Sequence, residues 1–203
     1  MNSKLILGIL GGVLGLGLVV AIAISATSGG SVNEADVFGQ VTVDGPDLPT
    51  FDGATANDVA VGMTAPTVTG TDFDGSTVTI GPDGRSKVVI LLAHWCPHCQ
   101  AEVPRIVSWL GTGSKPADVD FYSVSTLVAR VRGNWPPQQW LEGEGWPLPV
   151  IQDDRNNSAA SAFGLSSTPL WVLLDGDNNV IARVAGEVPT SGLSTLFQTA
   201  AAG

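Results

Sequence analysis

The chain has 203 residues, which is enough for one domain of ordinary size together with a tail or an anchor. Its formal net charge of −10 at pH 7 repels phosphate backbones, so nucleic acid is not an expected partner. The chain has only two cysteines, Cys96 and Cys99. This excludes a secreted fold held together by several disulfides and indicates a pair that carries chemistry.

The first predicted element is an uncharged apolar run at residues 5–24. A helix over this run is about 30 Å long, close to the hydrocarbon thickness of a bilayer. Lys4 precedes the run, and the next cationic residue is Arg85, so the amino terminus is predicted to be cytoplasmic. We therefore expect residues 1–26 to form a single-pass anchor in the cell membrane, with the rest of the chain extracytoplasmic. A cleaved signal peptide is the alternative, but its apolar stretch is usually only about 7–15 residues long.

Residues 27–60 are rich in Gly, Ser, Asp, Thr and Pro, and this composition predicts a flexible linker or arm, with a short strand at residues 41–43. A compact α/β domain is predicted over residues 61–203. Its predicted elements are a hairpin at 68–80 around Asp74-Gly75, a buried strand at 87–93, a helix at 97–110, a strand at 119–124, helices at 136–142 and 159–163, an antiparallel pair at 170–174 and 180–184, and a helix at 191–201.

The cysteine pair lies between a predicted strand and a predicted helix, so Cys96 begins the helix. Unpaired N–H groups and the helix dipole favour a thiolate there, and the thiolate is the nucleophile of disulfide exchange. Cys99 lies one helical turn further on, where it can attack a mixed disulfide. His98 lies between the two cysteines, and a protonated imidazole there would lower the pKa of Cys96 and make the disulfide more oxidising. The alternative for His98 is an exposed, inert side chain.

Metal binding is the main competing interpretation of this segment. His94, Cys96, His98 and Cys99 are all of types that bind metals, but the chain has no other His or Cys. A structural zinc site normally takes its ligand pairs from two separate segments. We therefore expect neither a metal nor another cofactor.

Other motifs accompany the segment Trp95-Cys96-Pro97-His98-Cys99. They are the sequence VGMTAP at 61–66, Glu102, Pro104 and Thr168-Pro169 before the predicted strand at 170–174. Together these motifs resemble the thioredoxin superfamily, in particular its membrane-anchored branch similar to the TlpA and ResA disulfide reductases. The resemblance covers roughly two-thirds of the chain.

The resemblance implies a thioredoxin-like fold, with a central mixed β-sheet flanked by helices and an amino-terminal β-hairpin. It places Thr168 and Pro169 in a cis-proline loop against the cysteines, where the Thr168 backbone pairs with a substrate strand. It makes Glu102 an active-site acid that exchanges a proton with Cys99; a solvated surface acid is the alternative. Trp95 would shelter the disulfide and contact substrate, or else serve only in packing.

The implied function is that of an extracytoplasmic thiol-disulfide oxidoreductase. Its partners would be the thiols and disulfides of exported proteins and a membrane redox partner that regenerates the cysteine pair. The dipeptide Pro97-His98 resembles that of DsbA-type oxidases, although the chain is too short before Thr168 for their large helical insertion. The dipeptide favours an oxidant slightly. The alternatives are a reductase of apocytochrome c cysteines and a non-enzymatic copper chaperone on the same fold.

Overall fold

The structure is a computed structural model and describes residues 37–130 and 132–203. The predicted anchor at residues 5–24 lies outside the described residues, as does the first part of the predicted linker. Among the described helices, none is both long and apolar enough to cross a membrane.

The described elements, in chain order, are β1 (Thr42–Asp44), a 3-10 turn (Thr55–Asn57), β2 (Thr67–Thr71), β3 (Thr77–Ile80), β4 (Ser86–Leu92), α1 (Pro97–Leu110), β5 (Val119–Ser125), α2 (Pro137–Gly143), β6 (Val150–Gln152), α3 (Ser158–Ala162), β7 (Leu170–Leu174), β8 (Val180–Ala185) and α4 (Thr190–Ala202). The predicted hairpin, the helix at 97–110 and the closing helix are confirmed. Strand β6 was not predicted, because its short apolar run shows no periodicity of its own and pairing with β5 supplies its order.

Five strands form a central mixed sheet in the order β6-β5-β4-β7-β8. Strand β4 is parallel to β5 and antiparallel to β7, and this gives the mixed sheet that the resemblance implied. Its side chains alternate between two buried clusters: Val88 and Ile90 pack on one face, and Val89 and Leu91 pack on the other. Because β4 is buried on both faces, its sequence is a continuous apolar run and does not alternate between apolar and polar residues. The sheet therefore fixes the carboxyl end of β4, where Cys96 follows.

Strands β1, β2 and β3 form a second, antiparallel sheet. The hairpin between β2 and β3 turns at Gly75, whose φ of 83° favours glycine. Val68 pairs with Ile80, and both side chains are buried in the cluster that covers one face of the central sheet.

The segment at residues 37–60 differs from the predicted flexible linker. Leu48 and Phe51 are buried in the core, and β1 is part of the small sheet. Arg183 of β8 is fully buried and donates two hydrogen bonds to the carboxylate of Asp58, at 2.7 and 2.6 Å. The composition of this segment is typical of a loop, which is why the sequence predicted a linker. Its packing depends on a few separate apolar side chains and one charge pair, and these do not form a periodic sequence pattern.

Candidate active site

Cys96 is the N-cap residue of α1, and Pro97 occupies the first helical position, which needs no N–H partner. Both cysteines are free thiols. Cys96 is 6% exposed, whereas Cys99 is fully buried one turn into the helix. Only one sulfur of the pair is therefore open to an incoming substrate.

The two thiols differ in how readily they ionise. Burial alone would raise the pKa of Cys96, but hydrogen bonds with the Thr168 side chain and with Cys99 outweigh burial, so this pKa lies below its ordinary value. Burial raises the pKa of Cys99 to about 12, although the Ala93 N–H donates to its sulfur at 3.5 Å. Cys96 thus ionises more readily than Cys99, which remains a neutral thiol in the reduced pair, and the nucleophilic role of Cys96 stays a prediction.

The Thr168–Pro169 peptide bond is cis, and its loop faces the cysteines. The Cys96 thiol donates a hydrogen bond to the Thr168 carbonyl at 3.3 Å. The Gly186 N–H donates to the Pro169 carbonyl at 2.8 Å and so ties this loop to the end of β8. The structure therefore brings Thr168 and Cys96 together, as the family resemblance implied, while the pairing of Thr168 with a substrate strand stays a prediction.

His98 points outward from the first turn of α1, and its side chain is 68% exposed. Its Nδ1 lies 2.8 Å from a carboxylate oxygen of Glu187, in the loop between β8 and α4. The bond to Glu187 is the main reason why the pKa of His98 is raised, and the charge of Cys96 adds to it. Arg105 donates to the other Glu187 oxygen at 3.0 Å. His98 is therefore part of a charged cluster that joins α1 to this loop.

Glu102 is fully buried on α1 and belongs to the same cluster. Arg105 forms an ion pair with one of its oxygens, and the Val188 N–H donates to the other at 3.0 Å. Burial raises the pKa of Glu102, and these two partners offset only part of that effect. The carboxylate is thus a buried acid on the helix that carries Cys99, not a solvated surface group. Its exchange of a proton with Cys99 stays a prediction.

His94 lies in the short segment between β4 and α1 and is fully buried. Its Nδ1 donates to the Gly133 carbonyl at 2.7 Å, and its Nε2 accepts from the Ala129 N–H at 3.1 Å. Burial lowers the pKa of His94, so the ring is neutral. Across residues 37–130 and 132–203, no group of three or more His, Cys, Asp and Glu side chains is placed to hold a metal ion.

Trp95 is half-buried and packs against the loop between β5 and α2. Its indole N–H donates to the Leu127 carbonyl at 2.7 Å. The guanidinium of Arg132 lies over its ring, 4.4 Å from the centroid. Trp95 therefore connects the cysteine segment to a neighbouring loop.

The sequence profile of the Redoxin family matches residues 60–198, more than half of the chain. The chain belongs to the Redoxin family. The start of this match lies close to the predicted domain boundary at Val61, although the packed segment extends from Val37.

Relatives of this Redoxin member carry names that refer to disulfide chemistry. Thiol:disulfide interchange protein HelX of Rhodobacter capsulatus is 24% identical over 104 residues, which are 51% of this chain and 54% of HelX. The chain thus matches only about half the length of this curated relative.

Solved structures show the same thioredoxin-like fold. StoA of Bacillus subtilis superposes with a TM-score of 0.53 at 16% identity, over 67% of this chain and 97% of StoA. A thiol:disulfide interchange protein of the thioredoxin family from Chlorobium tepidum gives 0.55 at 20% identity, over 68% and 94%. A secreted disulfide oxidoreductase of Mycobacterium tuberculosis gives 0.51 at 18% identity, over 72% and 100%.

Several residues of this Redoxin site were not predicted from the sequence. Glu187 lies 89 positions after His98 and 82 after Arg105, and its contacts depend on how the loop after β8 folds back onto α1. Arg132 likewise reaches Trp95 only through the loop between β5 and α2. No local motif marks these positions, so the sequence carried no signal for them.

Proposed function

We propose that this chain is a thiol-disulfide oxidoreductase that exchanges disulfides with exported proteins outside the cytoplasm, with a lean toward oxidation of their thiols. One observation carries the proposal. The start of α1 places Cys96, whose pKa is lowered, beside the Thr168 carbonyl, and the first turn of α1 holds Cys99 as a buried thiol. Such a pair has one accessible nucleophile and one resolving group, which is what disulfide exchange requires.

In the oxidising direction the cysteine pair starts as a disulfide. A substrate thiolate attacks the Cys96 sulfur, the Cys96–Cys99 bond breaks, and Cys99 leaves with the electron pair and takes up a proton. A second substrate thiolate then attacks the substrate sulfur of the mixed disulfide and releases Cys96 as a thiolate. The substrate has lost two electrons and the cysteine pair has gained two. A membrane redox partner would accept these electrons and restore the disulfide.

The electrostatics of the reduced pair support the oxidising direction. A stabilised thiolate at Cys96 stabilises the reduced enzyme, and this makes the disulfide a stronger oxidant. Protonated His98 stabilises that thiolate further. In this proposal Glu102 accepts and returns the proton of Cys99, which its burial and its place on α1 would favour. The apolar run at residues 5–24 supports a membrane tether that places the site outside the cytoplasm.

Two single substitutions test the exchange reaction. We expect Cys96→Ser to abolish turnover of a dithiol peptide, because the accessible sulfur is removed. We expect Cys99→Ser, when it is supplied with a peptide disulfide, to accumulate mixed disulfides, because Cys96 attacks that disulfide and no resolving thiol follows. These adducts can be detected by mass spectrometry of the intact protein. Unchanged turnover in Cys96→Ser would overturn the proposal.

A redox titration of the cysteine pair tests the direction. A potential near about −120 mV supports oxidation, whereas a value near or below about −270 mV supports a reductase, such as one acting on apocytochrome c cysteines. The same titration on Cys99→Ser serves as a blank, since that variant cannot form the intramolecular disulfide.

A further inference from the structure

The loop between β5 and α2 is hydrogen-bonded to His94 and Trp95, the two residues that precede Cys96. Four hydrogen bonds make this connection. They are Trp95 Nε1 to the Leu127 carbonyl at 2.7 Å, His94 Nδ1 to the Gly133 carbonyl at 2.7 Å, the Ala129 N–H to His94 Nε2 at 3.1 Å, and Asn134 Nδ2 to the His94 carbonyl at 3.3 Å. The described parts of this loop therefore hold a fixed place beside the nucleophile.

Arg132 is an exposed cation of this loop and lies next to Trp95, in the segment that contains the cysteine pair. Its guanidinium lies 4.4 Å from the centroid of the Trp95 ring, one residue before Cys96. Stacking uses the face of the guanidinium, so the N–H groups on its edge remain available to a carboxylate. Arg130, two residues earlier, is also exposed. This loop thus concentrates positive charge in a chain with 9 Lys and Arg against 19 Asp and Glu.

The other side of the cysteine pair does not cancel this positive charge. Glu187 is paired there with both His98 and Arg105. The carboxylate of Glu102 is buried against Arg105 and the Val188 N–H. The acidic groups of this cluster are therefore matched by cations, although the molecule as a whole is strongly negative.

We propose that Arg132, stacked on Trp95, makes the rim of Cys96 a recognition surface for substrate segments that carry an acidic residue next to their cysteine. A carboxylate there would form a bidentate pair with the guanidinium edge. Without this local charge, the overall charge of −10 would disfavour acidic substrates. The inference rests on the proposed function, because it concerns the substrate that meets the same sulfur.

The test uses three peptides that each contain two cysteine thiols and differ only in the residues flanking the first cysteine, which are Glu, Gln or Lys. The full chain is supplied with its cysteine pair as a disulfide. The thiolate of the first peptide cysteine attacks the Cys96 sulfur, the Cys96–Cys99 bond breaks, and Cys99 leaves with the electron pair and takes up a proton. The thiolate of the second peptide cysteine then attacks the peptide sulfur of the mixed disulfide and releases Cys96 as a thiolate. The peptide loses the two electrons that the enzyme gains.

We expect the second-order rate constant to fall in the order Glu, Gln, Lys, with about a threefold to tenfold difference between the Glu and Gln peptides at low ionic strength. The difference should shrink at ~1 M salt, where the Debye length is about 3 Å. Each rate is divided by the rate of the same peptide with oxidised dithiothreitol, a neutral disulfide, which removes differences in the intrinsic reactivity of the peptides.

Substitution of Arg132 distinguishes local recognition from overall charge. Arg132→Gln should bring the ratio of the Glu to the Gln peptide close to one. Arg85→Gln changes the net charge equally but lies at the far end of β4, about 23 Å of strand away, and should keep the wild-type ratio.

Two outcomes would overturn the inference alone: a wild-type enzyme that turns over the peptides without preferring Glu, or an unchanged ratio in Arg132→Gln. Failure of the wild-type enzyme to react with any of the three peptides would overturn the proposed function as well.

Discussion

At the scale of single residues, the cysteine pair combines two opposite changes in ionisation within one helical turn. The pKa of Cys96 is lowered by hydrogen bonds with the Thr168 side chain and with Cys99 despite its burial, whereas burial raises that of Cys99 to about 12. The same helix therefore holds, side by side, one thiol that ionises more readily and one that ionises less readily than an ordinary cysteine. The position of each sulfur along the helix decides which of them meets a substrate.

His98 is the residue whose ionisation we expect to depend most on one partner. Because the bond to Glu187 favours the imidazolium, the pKa of His98 lies above its ordinary value of about 6.5. We predict that Glu187→Gln moves the pKa of His98 back toward that value, as measured by NMR titration of the imidazole. Asp118→Asn removes an exposed carboxylate from the loop before β5, outside the charged cluster, and should leave the titration of His98 unchanged.

The sign of the pH dependence follows from the raised pKa of His98. In the folded protein the ion pair with Glu187 contributes stability below the ordinary pKa, and this contribution is lost as the pH rises through the raised value. The redox potential of the Cys96–Cys99 pair should change little in Glu187→Gln. This variant lowers the share of positively charged His98 near Cys96, but it also removes the negative charge of Glu187, and the two changes oppose each other. An imidazole titration identical to that of the wild type would contradict the role given to Glu187.

At the scale of elements, the sequence predicted the strands and helices whose own residues show an apolar run or a helical spacing. The apolar run of β4 and the helical spacing of α1 give the two elements that place Cys96, and both bounds agree closely with the structure. The cis-proline loop was predicted from Thr168-Pro169 through the family resemblance. The contacts of Glu187 and Arg132 were not predictable, because each depends on a loop whose path is set by distant packing.

The buried pair between Asp58 and Arg183 gives a prediction at the same scale. The bond to Arg183 is the main reason why the pKa of Asp58 is lowered, although burial opposes it. Asp58→Asn leaves a fully buried guanidinium without its counter-charge, and breaking a buried pair in this way typically costs about 3–5 kcal/mol. We expect urea unfolding to show a loss of this size. Asp47→Asn, an exposed position in the same segment, should change stability by less than about 0.5 kcal/mol. Equal stability of the two variants would show that the pair contributes nothing to the fold.

At the scale of the whole molecule, the segment at residues 37–60 decides where the folded unit begins. The family match starts at residue 60, but Leu48 and Phe51 fill the core, and Asp58 neutralises Arg183. Burial of each of the two apolar side chains stabilises the fold by about 1.5–3 kcal/mol. Together with the charge pair, these contacts are comparable to the entire stability of a typical domain, about 5–15 kcal/mol.

We therefore predict different behaviour for two shortened chains. A chain of residues 37–203 keeps every contact of the described structure and should unfold cooperatively on heating. A chain of residues 61–203 keeps nearly all of the family match and both cysteines, but it exposes the surface that Leu48 and Phe51 cover and leaves Arg183 unpaired. It should show no cooperative transition by circular dichroism and should react slowly with peptide disulfides, because the site depends on a folded sheet. If the shorter chain unfolded at the same temperature as the longer one, residues 37–60 would be an accessory arm, and the domain boundary predicted at Val61 would stand.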